Sequence, residues 1–88
     1  MMYFTYIIRS GRDSSFYIGS CADLTKRLVE HNFGRTGYTK YKRPWRLVYK
    51  EEFQDRSQAR KRENYLKGLK NKKYLEYLMK KSIRSKGP

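Results

Sequence analysis

Two short runs of aromatic and β-branched residues lie close together near the start of the chain. They are YFTYIIR at residues 3–9 and FYIGS at residues 16–20. Residues of these types suit a pleated, half-buried strand. The intervening stretch, SGRDSS, is rich in Gly, Asp and Ser, which favour turns. The two runs therefore predict an antiparallel β-hairpin, and any fold for this chain must accommodate it.

The residues after the hairpin predict a helix, a loop and a third strand. Asp23 is a plausible N-cap for a helix that carries Leu24 and Leu28 on one face and ends near Asn32. Two glycines and several basic residues at positions 33–44 predict a loop. The run WRLVYKEEF, Trp45–Phe53, is typical of a strand.

The last third of the sequence predicts two helices. Asp55 or Ser57 would cap a helix that ends near Lys70. The run NKKYLEYLMKK would form another, with Leu75, Leu78 and Met79 on its inner side. The order ββαβαα indicates an α+β fold, a small and mostly antiparallel three-stranded sheet flanked by helices. We expect one domain over residues 1–81 and a flexible basic C-terminal tail over residues 82–88.

Charge indicates the class of partner. The chain has 22 Lys and Arg against 8 Asp and Glu, a formal net charge of +14. Such a surface favours a phosphate-rich partner, because phosphate neutralisation releases counterions. A membrane surface would also attract this charge. No apolar run approaches the roughly 20 residues that a membrane span needs, and no signal-peptide pattern opens the sequence, so we expect no membrane association.

The cysteine content predicts the compartment. Cys21 is the single cysteine and cannot form an internal disulfide, which favours the reducing cytoplasm. Cys21 and the single histidine, His31, cannot build a zinc site by themselves.

One acidic residue is placed where folding alone does not require it. Glu63 stands four residues after Ala59 and three before Leu66, so it points along the apolar stripe that Leu69 continues. A carboxylate there is costly unless it is paired or bound to a metal. Helix capping or pairing with an arginine would be the structural explanation.

A second group of side chains is ambiguous in isolation. Arg27 and His31 share one helix face at i, i+4 spacing, which also fits a surface arginine and a half-buried structural histidine. Tyr6 and Tyr17 are good strand residues among nine tyrosines. Gly19 is more specific, because a strand glycine often marks close approach of a backbone or ligand.

In combination these residues resemble the GIY-YIG nuclease family. The pattern is TYI at residues 5–7, YIG at residues 17–19, RLVEH at residues 27–31, and Glu63 on a later helix. The likeness covers about residues 3–80, and runs such as YIGS and RPWRLVY are similar to the small standalone bacterial members. Each motif is weak alone, whereas the ordered set is specific. Ser20 stands where the excision-repair members carry a lysine, and Asn71 comes early for an asparagine that many members have.

The resemblance implies a divalent-metal-dependent endonuclease that hydrolyses DNA phosphodiester bonds, selects by structure rather than sequence, and serves DNA repair or recombination. Glu63 would anchor a single Mg²⁺ or Mn²⁺ ion. Arg27 would offer a planar, permanently charged group to the phosphate.

The resemblance also implies roles at the reacting water. Tyr6 would take its proton and His31 would relay that proton. Tyr17 would position water or phosphate, and an exchange of roles between the two tyrosines stays open. Gly19 would let the backbone pass close to the site.

The segment GRTGYTKYKRPWR interleaves basic and aromatic residues. Basic side chains hold phosphates, and aromatic rings can stack on exposed bases. For Trp45 we favour packing on the core. The nucleic-acid-binding candidates are Arg35, Lys40, Lys42, Arg43 and Arg46.

Two functions of different classes stay open. The first is an active endonuclease on single-stranded, branched or duplex DNA. The second is a non-catalytic nucleic-acid-binding module that keeps the nuclease fold without needing a metal. An RNA partner is a weaker third interpretation, based on charge alone.

Overall fold

The computed structural model describes residues 2–35, 37–69 and 71–85, with backbone only for residues 82–85. In this part of the chain the predicted order of strands and helices is confirmed. The strands are β1 Tyr3–Ser10, β2 Phe16–Cys21 and β3 Trp45–Phe53. The helices are α1 Leu24–Asn32, α2 Arg56–Leu69 and α3 Lys72–Ser85. A short 3₁₀ helix, Thr39–Lys42, lies within the segment predicted to be loop.

The sheet has the order β2-β1-β3, and both pairings are antiparallel. Because side chains alternate along a strand, Tyr6 and Ile8 face one side of the sheet while Thr5 and Ile7 face the other. Both faces of β1 are buried. The hairpin partner β2 therefore forms one edge of the sheet, and β3 forms the other.

Each face of the sheet has its own apolar cluster. On one face, Leu24 and Leu28 of α1 pack against a cluster that includes Tyr6, Ile8 and Trp45. On the other face, residues of α2 and α3 pack against the sheet, and that cluster consists of Ile7, Ile18, Leu66, Leu75 and Leu78. The predicted core position of Trp45 is confirmed. The sheet is thus sandwiched between α1 and the α2–α3 pair.

Side-chain caps fix where the three helices begin. Asp23 Oδ1 accepts a hydrogen bond from Lys26 N at 3.0 Å, as predicted for α1. Asp55, and not Ser57, caps α2, since its Oδ1 accepts from Ser57 N at 2.8 Å. Asn71 begins α3 by accepting from Tyr74 N at 3.1 Å. Each bond satisfies a backbone N–H that has no partner inside the helix.

Two expectations for the C-terminal half need correction. Leu69 was expected on the buried stripe of α2, yet it is 38% exposed because the helix ends at this residue, past the core cluster. α3 continues through Ser85, beyond the predicted limit near Lys81. Residues 86–88 and residue 70 lie outside the described residues, so the domain boundary at 81 and the flexible tail stay predictions.

In the parts of the chain that the structure describes, no helix has the length and apolarity to cross a bilayer.

A buried hydroxyl joins the central strand to α2. Thr5 is fully buried, and its Oγ1 donates a hydrogen bond to the carbonyl oxygen of Ala59 at 2.7 Å. This bond fixes the position of α2 against the sheet, and therefore the position of Glu63 one turn further along the helix.

Replacing Thr5 with valine should lower the free energy of unfolding by about 1 kcal/mol, because the shape is kept while the hydrogen bond is lost. Chemical denaturation measures the change. Thr25→Val on the exposed side of α1 is the matched control and should stay within about 0.5 kcal/mol of wild type. Equal stability of the two variants would contradict this role for Thr5.

Candidate active site

Tyr6 lies against Gly19, its direct partner in the β1–β2 pairing. The phenol is buried. A Cβ built at position 19 would lie 2.5 Å from Tyr6 Oη and 2.7 Å from its Cζ. The glycine is therefore required for the ring to cross β2, and the close approach expected at Gly19 is that of the Tyr6 side chain.

The Tyr6 hydroxyl begins a buried chain of polar side chains. Tyr6 Oη lies 2.9 Å from His31 Nε2, and His31 Nδ1 lies 2.8 Å from Thr39 Oγ1. All three residues are fully buried, so the half-burial allowed for His31 was an underestimate. Burial, followed by the charge of Arg27, lowers the pKa of His31. The imidazole is accordingly neutral near pH 7, with one donor and one acceptor nitrogen.

Arg27 stands one helical turn before His31 and reaches the same phenol. Its Nε also lies 3.2 Å from Glu30 Oε1 on the next turn. Burial raises the pKa of Tyr6 strongly, nearby Tyr17 adds to this, and the positive charge of Arg27 opposes it. Burial prevails, so the phenol is protonated at neutral pH.

Tyr17 lies at the sheet edge between the two helical layers. Its ring centroid is 5.1 Å from that of His31, and the ring stacks on Tyr38 at 6.0 Å. Lys67 Nζ of α2 lies 5.8 Å from the Tyr17 centroid. Tyr17 thereby connects the Tyr6–His31 pair with the helix that carries Glu63.

Glu63 occupies the other half of the site and is held by two partners. Ser20 Oγ donates to Glu63 Oε1 at 2.6 Å, and Lys67 Nζ donates to Oε2 at 2.6 Å. The side chain is 15% exposed. Pairing was the structural explanation offered for this carboxylate, and the partner is a lysine and not an arginine. Because Gly19 and Ser20 are consecutive in β2, one contacts Tyr6 and the other contacts Glu63, on opposite faces of the sheet.

The chemistry of this donor set fits one magnesium-like ion. Within residues 2–35, 37–69 and 71–85, no group of three or more His, Cys, Asp or Glu could form a multi-ligand metal site. Mg²⁺ does not need such a group, because it keeps several waters and binds through one or two carboxylates plus phosphate oxygens. The partly exposed Glu63 fits this requirement, provided that Lys67 leaves Oε2.

Several residues at the site were not singled out from sequence. Nothing in the sequence indicated that Thr39 would contact His31. Lys67 stands at i+4 from Glu63, a spacing that predicts an ion pair. A cavity of about 340 Å³ lies between α1, α2 and the end of β2, beside Arg27 and Ser20. Lys26, Arg56 and Arg60 line it; their common position becomes apparent only from the packing of the helices.

Of the five basic residues predicted to bind nucleic acid, only Lys42 lies near the site. Lys42 lies near it, 5.5 Å from the Tyr38 ring, but is ion-paired with Asp13 at 3.0 Å. Arg46 lies on β3, at the sheet edge opposite β2. The remaining three are exposed, with Lys40 and Arg43 in a depression beside Tyr41 and Arg35 in a groove beside Phe33. Asn71 is engaged as the cap of α3.

Comparison with known proteins agrees with this architecture. The family pattern described as the GIY-YIG catalytic domain matches residues 2–77. A UPF0213 protein of Staphylococcus saprophyticus is 39% identical over 77 residues, covering 86% of this chain and 93% of that protein. The UPF0213 protein YazA of Bacillus subtilis is 38% identical over 80 residues, covering 90% and 80% of the two chains. Both relatives are thus similar to this chain over most of their length.

A solved structure is similar in fold. The solution NMR structure of a UPF0213 protein from Bacillus halodurans matches with a TM-score of 0.56 and 30% identity. The match covers 99% of this chain and 87% of that one.

The contact between Tyr6 and Gly19 predicts the effect of one added methyl group. Gly19→Ala should destabilise the fold by roughly 1–3 kcal/mol, since the buried Tyr6 ring must move. The matched control is Gly68→Ala, where the new Cβ would lie within 4 Å of no described atom other than those of its chain neighbours and the nearby helix backbone. That change should stabilise α2 by about 0.5–1 kcal/mol. Urea denaturation measures both, and a neutral Gly19→Ala would disprove the contact.

Burial of His31 predicts a pH dependence of stability. Its pKa in the folded protein lies below the ordinary 6.5, so below pH 6.5 the unfolded chain binds this proton more readily. The free energy of unfolding should fall as pH drops from 6.5 towards 5, by at most about 1.4 kcal/mol per pH unit. His31→Gln should flatten this slope in denaturant titrations at pH 5 to 7.5. An unchanged slope would contradict a depressed pKa.

Proposed function

The chain belongs to the GIY-YIG family, and on this premise we propose that it is a divalent-metal-dependent endonuclease that hydrolyses phosphodiester bonds in DNA. The observation that carries the proposal is the arrangement of Tyr6, Arg27 and His31 on one side of β2 with Glu63 on the other. Family membership indicates a nuclease domain and a nucleic-acid substrate. The metal, the DNA and the residue roles are our proposal.

Glu63 would hold a single Mg²⁺ or Mn²⁺, which when bound neutralises charge on the phosphoryl and leaving oxygens. Ser20 donates to Oε1 and so keeps the carboxylate oriented while Oε2 is available for exchange. Lys67 would release Oε2 of Glu63, because the lysine side chain is close to half exposed and can move into solvent.

Arg27 would bind the scissile phosphate. Its guanidinium is always charged and can donate two parallel hydrogen bonds to phosphate oxygens. Glu30 pairs with its Nε and the guanidinium also interacts with the Tyr6 hydroxyl, so the remaining N–H groups of Arg27 would face a substrate. Negative charge that develops on the phosphoryl group during hydrolysis would therefore meet a fixed cation.

Tyr6 and His31 would move the proton of the attacking water. A buried phenol is a poor base alone, because burial opposes formation of phenolate. The 2.9 Å contact offers a solution: the water gives its proton to Tyr6 Oη while Tyr6 gives its own to His31 Nε2. His31 becomes imidazolium, with Nδ1–H donating to Thr39. This relay requires a neutral histidine, which burial favours.

Tyr17 would position the water or phosphate. It is partly exposed and faces the same histidine as Tyr6. Lys67 lies over its ring, and Tyr17 acting as the base in place of Tyr6 stays the alternative.

The substrate would be recognised by its backbone and shape. The net charge of +14 and the exposed basic side chains of residues 35–46 favour phosphate contacts without sequence selection. A role in DNA repair or recombination and a cytoplasmic location stay predictions from the sequence and the family resemblance.

If Glu63 holds the metal ion, replacing its carboxylate with an amide should abolish most of the activity. Glu63→Gln keeps the size of the side chain, and cleavage should fall by at least about 100-fold, since even changes behind a metal ligand cost 10–100-fold. The measurement uses end-labelled single-stranded, branched and duplex DNA with Mg²⁺, and EDTA should abolish cleavage. The control is Glu52→Gln, the same charge change at an exposed site on β3, which should cleave at the wild-type rate.

The outcome separates the two functions. If wild type and Glu63→Gln show the same background while both bind DNA in a salt-sensitive manner, the protein is a non-catalytic binding module and the endonuclease proposal is wrong. A labelled RNA set in the same panel distinguishes RNA from DNA as the substrate.

A further inference from the structure

We propose that the cavity between α1 and α2 is a second phosphate-binding subsite, which takes the phosphate next to the one held by Arg27 on the same strand. This inference rests on the proposed function, because it assumes a nucleic-acid strand across Arg27. The residues concerned are not those predicted to hold the metal or to move protons.

The wall of the cavity is basic. Its volume is about 340 Å³. Four cationic side chains line it, together with the Ser20 hydroxyl and two carboxylates. The cations are Lys26, Arg27, Arg56 and Arg60.

The two carboxylates at the cavity are already engaged. Asp23 caps α1 by accepting from Lys26 N, and Glu30 pairs with Arg27. Across the described parts of the chain, no carboxylate lies within 4.0 Å of the side-chain nitrogens of Lys26, Arg56 or Arg60. The cavity therefore collects three cations that form no ion pair with the described residues.

The two arginines of α2 are spaced to act together. Arg56 and Arg60 stand at i, i+4 and therefore on one helix face. Like charges at this spacing repel, so an anion between them would relieve a cost that the free protein carries. The Arg56 guanidinium lies 5.1 Å from the centroid of the Tyr3 ring, a cation–π contact that holds it at the wall.

The position of the cavity determines which anion fits. Arg27, which reaches Tyr6, and Ser20, which donates to Glu63, both form part of its lining. Because Arg27 belongs to the lining, a strand whose phosphate contacts Arg27 can place its neighbouring phosphate in the cavity. Two phosphates in adjacent subsites favour a cut inside a strand over a cut at a terminal nucleotide that lacks the flanking phosphate.

The test compares short ligands with one or two phosphates and requires no cleavage. A thymidine dinucleotide has one internal phosphate and a trinucleotide has two. Each is titrated in EDTA against the ¹⁵N-labelled protein by NMR, together with inorganic phosphate. Wild type should bind the trinucleotide about 10-fold more tightly, the gain from one added charge-assisted contact.

Arg60→Gln should lose most of this gain while its spectrum keeps the wild-type fold. The matched control is Lys61→Gln, which removes the same charge from the next residue of α2, outside the cavity lining, and should keep the gain. A gain that persists in Arg60→Gln, or no gain in wild type, would overturn the subsite. Inorganic phosphate that shifts the cavity amides with no gain from the second phosphate would indicate a site for free anions and would also overturn it.

Failure of this inference differs from failure of the nuclease proposal. An inactive wild-type protein in the cleavage panel would refute the endonuclease proposal, whereas the NMR titration would still test the subsite because it measures binding without cleavage. A normal Glu63-dependent cleavage with no two-phosphate gain would refute the subsite alone.

Discussion

The site depends on a phenol that crosses a strand where the partner residue has no side chain. Tyr6 can reach His31 only because Gly19 leaves room for its ring, and the resulting hydrogen bond joins β1 to α1 through the core. A buried polar chain of this kind rigidifies its surroundings when every member has a partner. No buried side-chain nitrogen or oxygen in the described residues lacks a partner.

The alternation of side chains along β2 explains why the site has two halves. Gly19 serves the face that packs on α1, and Ser20 serves the face that packs on α2. Since β2 is an edge strand, only one strand separates the two halves, and a substrate can approach both from the side. The residues that connect them, Tyr17 and Lys67, lie at this same edge.

Local patterns were sufficient for the order of the three strands and three α-helices, because each of these six elements carried its own signals. Asp23 was the predicted N-cap of α1 and either Asp55 or Ser57 that of α2, and the hairpin runs had the strand residues and turn residues that pair them. The site was harder. The i, i+4 spacing placed Arg27 and His31 on one helix face. The contact of His31 with Thr39 could not be predicted, because Thr39 lies in a short 3₁₀ helix that the loop composition did not indicate. The basic cavity was not predictable, since it forms only where the start of α2 packs beside α1.

The ion pair of Glu63 with Lys67 bears on how far the fold would depend on the metal ion proposed above. In small domains that fold around a metal, removing the ion leaves bare ligands and the chain unfolds. Here the ammonium group of Lys67 pairs with the Glu63 carboxylate. The apolar clusters on both sides of the sheet do not include Glu63. The fold therefore does not need the proposed metal ion, so a chelator would remove that ion while the folded shape persists.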